Sequence, residues 1–222
     1  MQKIRISLLN EQSLQIFSIF VVTSHNQQAL SLFKKIVGKI LNQPEEEENQ
    51  DLVKLGDQLK NADLDYKFAQ LFTHSGGFFN YCADEAEALQ TLNHILKIED
   101  IKSVFCWDED LKNFLDVVKV PYTKDLELFN DCAFITCEYL IAFDGRIMLS
   151  YNNIQHYHSS RLPEKVIIMA NVSQIVTNLN DAMGKIKRNG NILNLTSISG
   201  SNSKLDTPNK DNTKLFLLLL ED

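Results

Sequence analysis

The chain has 222 residues, 44% apolar and 23% charged, which suits one packed domain of roughly 150–200 residues plus an extension and does not suit a disordered or fibrous chain. A net charge of −7 argues against nucleic acid as a partner, because phosphate neutralisation needs a basic surface. No run reaches the ~18 apolar residues of a membrane span; Leu14 to Val22 is the best candidate and is short.

Residues 1–30 show neither helical nor strand periodicity and read as an atypical N-terminal extension. One reading is a natural start near Leu30. Lys3 and Arg5 precede the apolar stretch as in a signal peptide. However, Asn10-Glu11-Gln12-Ser13 interrupts it and Thr23-Ser24-His25 is a poor cleavage site, so a cytoplasmic protein is expected. Residues 31–43 form a basic amphipathic helix pattern. Leu32, Phe33, Ile36, Val37, Ile40 and Leu41 share one arc, with Lys34, Lys35 and Lys39 opposite. Such a helix either docks on its own domain or makes weak contact with an anionic membrane surface through residues 31–41. Lys3, Arg5, Lys34, Lys35 and Lys39 stand against Glu11, so residues 1–43 carry +4 and the remainder −11 of the total −7. Residues 44–62, opening with Pro44 and Glu45 to Glu48, read as an acidic linker.

The domain proper is expected over residues 63–222. Asp65 to His74 reads as helix, stopped by Gly76-Gly77, and Phe78 to Cys82 as strand. Helices follow at Asp84 to Lys97 and Glu109 to Val117, with a strand at Val104 to Trp107 between them. Strands are expected at Cys132 to Ile135, Tyr139 to Phe143, Arg146 to Leu149, Val166 to Ala170 and Ile192 to Ile198. Ser173 to Lys187 reads as helix, and Leu215 to Leu220 as the strand that closes the sheet. Strands alternating with helices predict an α/β domain with a mostly parallel sheet and flanking helices. The turn at Asp144-Gly145 predicts an inserted antiparallel hairpin.

In open parallel sheets, ligands bind outside the carboxyl ends of the strands. Those ends fall at Asn80 to Ala83, Trp107-Asp108, Thr136 to Glu138, Asn171 to Ser173 and Thr196 to Ser201. Glu138 and Asp144 are the candidate catalytic carboxylates, able to act as base or nucleophile where burial tunes them. Asp144 can equally serve the turn. Arg161 could pair a carboxylate bidentately, or be a solvated loop arginine. Ser199, Gly200 and Ser201, followed by Asp206, offer small residues whose backbone N–H groups could wrap an anion; a polar surface loop has the same composition. His156-Tyr157-His158 has the spacing of two metal ligands on a strand, but no third ligand is near and no metal is expected. Cys82, Cys106, Cys132 and Cys137 form no Cys-x-x-Cys pair; Cys82, Cys106 and Cys132 sit in apolar, strand-like runs as small hydrophobes, and a reducing compartment is expected. No Ser-His-Asp set, P-loop or dinucleotide fingerprint is present, and no cofactor is expected.

The order of the C-terminal third resembles the LUD domain, the lactate-utilisation family with a CoA-transferase-like α/β fold. It runs from the apolar stretch Asp131 to Leu149 turning at Asp144-Gly145, through Arg161-Leu162-Pro163 and Lys165 to Ala170, to the amphipathic segment from Ser173. The resemblance covers roughly residues 65–222. Where the family usually shows Ala-Glu-Thr-Gly-Thr, this chain has Ala142-Phe143-Asp144-Gly145-Arg146. Its second motif, Thr-Gly-Pro-Ser-x-Thr-Ala-Asp-Ile, aligns at Gly200 and Asp206, and its closing Gly-x-His-Gly-Pro has no match before Leu215. The resemblance implies a divergent, cluster-free member of a bacterial set that oxidises lactate to pyruvate beside iron–sulfur partner subunits. It implies a small carboxylate or phosphate as ligand. Under that implication Glu138 or Asp144 supplies the carboxylate, Arg161 holds the substrate and the Gly200 loop holds an anion. The motif departures fit an alternative, a degenerate, non-catalytic binding or scaffold module, which residues 31–41 could hold at a membrane surface.

Overall fold

The structure, a computed structural model, is described over residues 54–189, 194–200 and 213–222. The expectations for residues 1–30, the basic helix 31–43 and the linker as far as residue 53 lie outside the described residues. Within 54–62, residues 54–58 are helical and Leu59 is buried.

The elements are α1 (Leu64–His74), β1 (Phe78–Cys82), α2 (Glu85–Ile98), β2 (Val104–Phe105), α3 (Glu109–Val118), β3 (Tyr122–Thr123), β4 (Cys132–Thr136), β5 (Tyr139–Ile141), β6 (Arg146–Leu149), β7 (Lys165–Asn171), β8 (Ile175–Val176), α4 (Leu179–Asn189), β9 (Thr196–Ile198) and β10 (Lys214–Leu220). Two sheets result. Six strands in the order β1-β10-β7-β4-β2-β3 pair in parallel throughout. Four strands in the order β8-β5-β6-β9 make a mixed sheet around the expected antiparallel hairpin β5–β6.

The parallel strands are apolar on both faces because both faces are covered. Ala133, Ile135, Val166, Ile168, Leu215 and Leu217 face the small sheet, meeting Leu140, Ile147 and Leu149, with Phe68 and Phe72 of α1 in the same cluster. Phe134, Ile167, Phe216 and Leu218 face the other way, against Leu92 and Ile95 of α2 and Leu111 and Leu115 of α3. The outer face of the small sheet carries Ile141, Met148 and Val176, which pack on Ala182 and Ile186 of α4. The layers therefore run from α2 and α3 through the two sheets to α4.

Helix starts follow their caps. Asp84 accepts from Glu87 N at 2.8 Å, and Asp108 Oδ1 accepts from Asp110 N and Leu111 N, so both helices begin where a short acceptor meets free N–H groups. Gly76, at φ 89°, ends α1 as the sequence suggests.

Two strands end earlier than expected, β2 at Phe105 and β5 at Ile141, and two further expectations differ outright. Ser173 to Lys187 is not one helix: a 3-10 turn (Val172–Gln174) and β8 precede α4. The β-branched pair Ile175-Val176 is drawn into pairing with Leu140 and Ile141, and Asn178 Oδ1, accepting from Asp181 N at 3.1 Å, starts the helix later. Leu179, the first residue of α4, is exposed. Leu215 to Leu220 does not close the sheet. It lies inside it, between β1 and β7, the position in which an apolar run is buried on both faces. No helix among the described residues is long and apolar enough to cross a membrane.

Candidate functional site

The two candidate carboxylates sit at opposite ends of one strand. Glu138 precedes β5 and is half-buried. Its Oε1 accepts from Ser150 Oγ at 2.5 Å, and Ser150, just past β6, has no exposed surface. Asn153 locks Ser150 in place: its Oδ1 accepts from Ser150 N at 2.7 Å, and its Nδ2 donates to Thr136 Oγ1 at 3.1 Å. Ser150 has one hydroxyl proton. It goes to Glu138 at 2.5 Å rather than to Asn153 Oδ1 at 3.2 Å, since the anionic acceptor is nearer and stronger. Asp144 lies at the other end of β5, in the four-residue link Ala142 to Gly145. Its Oδ2 is 3.2 Å from Arg146 Nε, and its Oδ1 accepts from Arg146 N. Gly145, at φ 71°, donates to Ile141 O, closing the turn. The whole of β5 (Tyr139–Ile141) and residues 142–143 lie between the two acids, and the strand alone spans about 10 Å at ~3.3 Å per residue, so they do not act on one reacting atom together.

Gly200 packs on the turn after α1, where an added Cβ would run into Ser75 O and lie 2.7 Å from Gly77 N. Its lack of a side chain serves that close approach. Ser199 beside it is half-buried, and Ser201 and Asp206 lie outside the described residues.

Arg161 is exposed and closes a 3-10 turn (Ser159–Arg161), directly before the buried Leu162 and four residues before β7. Its guanidinium carbon lies 5.2 Å over the Tyr157 ring, which meets Phe105 edge-on at 5.9 Å. It lines a pocket of about 230 Å³ with Leu126, Glu127, Leu128, Asn130, Ser160, Leu162 and Pro163. Asn130 and Pro163 precede β4 and β7, so this pocket is at the amino ends of those strands. His156 and His158 are exposed beside it. His158 Nδ1 is 2.8 Å from Ser160 Oγ, and among the described residues no group of three His, Cys, Asp or Glu side chains could hold a metal ion.

A larger cleft of about 460 Å³ opens at the carboxyl ends. Thr136, Met169, Ala170, Asn171, Gln174 and Leu220 form its floor, and Glu85, Asp108, Asp110, Leu111, Asn113 and Phe114 its helical wall. Its place follows from topology. The chain leaves β1 and β2 toward α2 and α3 on one face, and leaves β4 and β7 toward the small sheet on the other. Connections diverging to opposite faces leave a crevice at the strand ends. Gln174 ties the cleft to the Glu138 segment: Nε2 donates to Cys137 O at 2.7 Å, and Oε1 accepts from Asn171 N at 2.7 Å. The strand-end rule marks Thr136 and Asn171. Asn113 and Gln174 escape it, because their place depends on how α3 and the 3-10 turn pack.

The cysteines are free and buried. Burial pushes the Cys82 and Cys106 thiols up to about 12, and raises Cys132 and Cys137 as well, so all four are poor nucleophiles at neutral pH.

The LUD domain family model matches residues 122–209, a stretch from β3 to past β9. A crystal structure of a DUF162 family protein from Deinococcus radiodurans superposes with a TM-score of 0.54 at 17% identity, covering 72% of this chain and 97% of that one. That likeness speaks for the fold. No curated protein matches the chain.

Proposed function

We propose that this chain, which carries a LUD domain over residues 122–209, serves lactate utilisation as a subunit that binds a small polar metabolite beside iron–sulfur partner subunits. The family match supports the metabolic setting. The observation that carries a binding role is that the fold leaves two cavities, one of about 460 Å³ at the carboxyl ends of the strands, lined by amide, hydroxyl, apolar and carboxylate groups, and one of about 230 Å³ at their amino ends, lined by Arg161.

The candidate catalytic acids support binding more than acid–base chemistry. Glu138 is held by a buried serine and Asp144 is paired within its own turn. Neither lines the cleft or the Arg161 pocket.

The test is genetic and biochemical. Deleting the gene should abolish growth on lactate as carbon source, and the full chain supplied in trans should restore it. The tagged full chain should co-purify with proteins that carry iron and acid-labile sulfide. Normal growth of the deletion on lactate would reject the lactate assignment.

A further inference from the structure

The charge around the two cavities is opposite to what the strand-end rule would give for an anion. The carboxyl-end cleft is lined by Glu85, Asp108 and Asp110, with no Lys or Arg among the described residues that line it. The helix N-termini that could attract an anion there are answered by their own acids: Asp84 and Asp108 cap them, and Glu85, Glu87, Glu109 and Asp110 fill the first turns. A free carboxylate entering this cleft meets like charge.

The pocket at the amino ends has the needed cation. Arg161 makes no ion pair with a carboxylate among the described residues, and no side-chain hydrogen bond there engages its guanidinium. Arg161 is exposed, and its guanidinium lies over the half-buried Tyr157, whose ring meets the fully buried Phe105 edge-on. A planar guanidinium held in this way can bind a carboxylate bidentately. Leu126, Leu162 and Pro163 supply an apolar wall for a short carbon chain, and about 230 Å³ admits only a small molecule. Glu127, which lines the same pocket, disfavours a second negative charge.

We infer that the Arg161 pocket is a binding site for a small monocarboxylate, and that such a ligand binds there rather than in the strand-end cleft. The identity of the carboxylate as lactate or pyruvate rests on the lactate-utilisation reading; the pocket itself does not.

Calorimetric titration of the full chain with lactate, pyruvate, acetate and inorganic phosphate tests this. Lactate, pyruvate or acetate should bind the wild type, and Arg161→Ala should weaken binding by roughly 10-fold or more, since a charge-assisted bidentate pair is lost. Arg161→Lys should fall between, and Asp108→Asn, which keeps the α3 cap, should leave affinity unchanged. Glu127→Gln should improve phosphate more than acetate. If acetate needs Arg161 but lactate and pyruvate bind no better than acetate, the pocket stands and the lactate reading falls. If lactate binds equally well to Arg161→Ala, or more tightly to Asp108→Asn, the proposal is overturned while the lactate reading survives. Absence of binding by all four anions overturns the pocket outright.

Discussion

Ser150, without exposed surface, donates its hydroxyl to Glu138 across 2.5 Å, and this bond joins the two strands of the hairpin at their base. Ser150→Ala would leave Glu138 Oε1 without that donor and Asn152 N without its acceptor Ser150 Oγ, 3.1 Å away. A loss of about 1–3 kcal/mol is expected. Glu138→Gln keeps an acceptor for the serine and should cost less. Urea unfolding of both variants checks the order; equal or reversed losses would mean that the bond does not hold the hairpin base.

Glu99 performs a similar service for the parallel sheet. Its two carboxylate oxygens each lie 3.0 Å from Lys214 Nζ, and its backbone oxygen accepts from Lys165 Nζ at 2.6 Å. The end of α2 is thereby tied to the starts of β7 and β10. Glu99→Ala leaves two lysines without their shared counter-charge, with an expected loss of about 1–2 kcal/mol, limited because Lys214 is partly solvated. The loss should shrink in high salt. An unchanged denaturation midpoint at low ionic strength would contradict this.

Much of this architecture is legible in the sequence, because hydrophobic runs and caps act locally. Asp84 and Asp108 mark their helices, and Arg146 to Leu149 is strand as expected. What local pattern does not carry is which strand lies next to which. Leu215 to Leu220 is equally apolar at an edge or inside, and its place between β1 and β7 depends on cover from α2 and the small sheet. Ile175-Val176 fits a helical stripe until Leu140 and Ile141 offer it a ladder. The site follows the same division. Thr136 and Asn171 are visible as strand ends, whereas the separation of Glu138 from Asp144 and of Arg161 from both needs the hairpin and the loop before β7 in three dimensions.

Glycines give a paired prediction. Gly145 combines φ 71° with α1 backbone 2.5 Å from where a Cβ would sit, so Gly145→Ala should destabilise by at least about 1–2 kcal/mol, lowering Tm by several degrees. Gly184, inside α4, has nothing within 4 Å of an added Cβ, and Gly184→Ala should stabilise by about 0.5–1 kcal/mol. Thermal unfolding distinguishes the two signs, and a stabilised Gly145→Ala would refute the close approach.

The buried thiols predict silence and an alkaline weakness. Native protein should not react with a disulfide reagent at pH 8, whereas guanidinium should expose four thiols. Because burial raises Cys82 and Cys106 from 9.0 to about 12, the folded state keeps protons that the unfolded state releases. Their stabilisation is complete below pH 9 and is lost as pH rises from 9 toward 12. Replacing both with Ala should flatten that decline in a pH series of denaturant midpoints. An unchanged slope would assign the decline to other groups.

The most direct measurement is a ¹H–¹⁵N correlation titration of the full chain with lactate. The account predicts shifts at Arg161 Nε–H, at the Tyr157 and Leu162 amides and at Leu126, with the Asn171 and Gln174 signals still. Shifts at Asn171, Gln174 and Thr136 with Arg161 unmoved would place the carboxylate at the strand ends and contradict it.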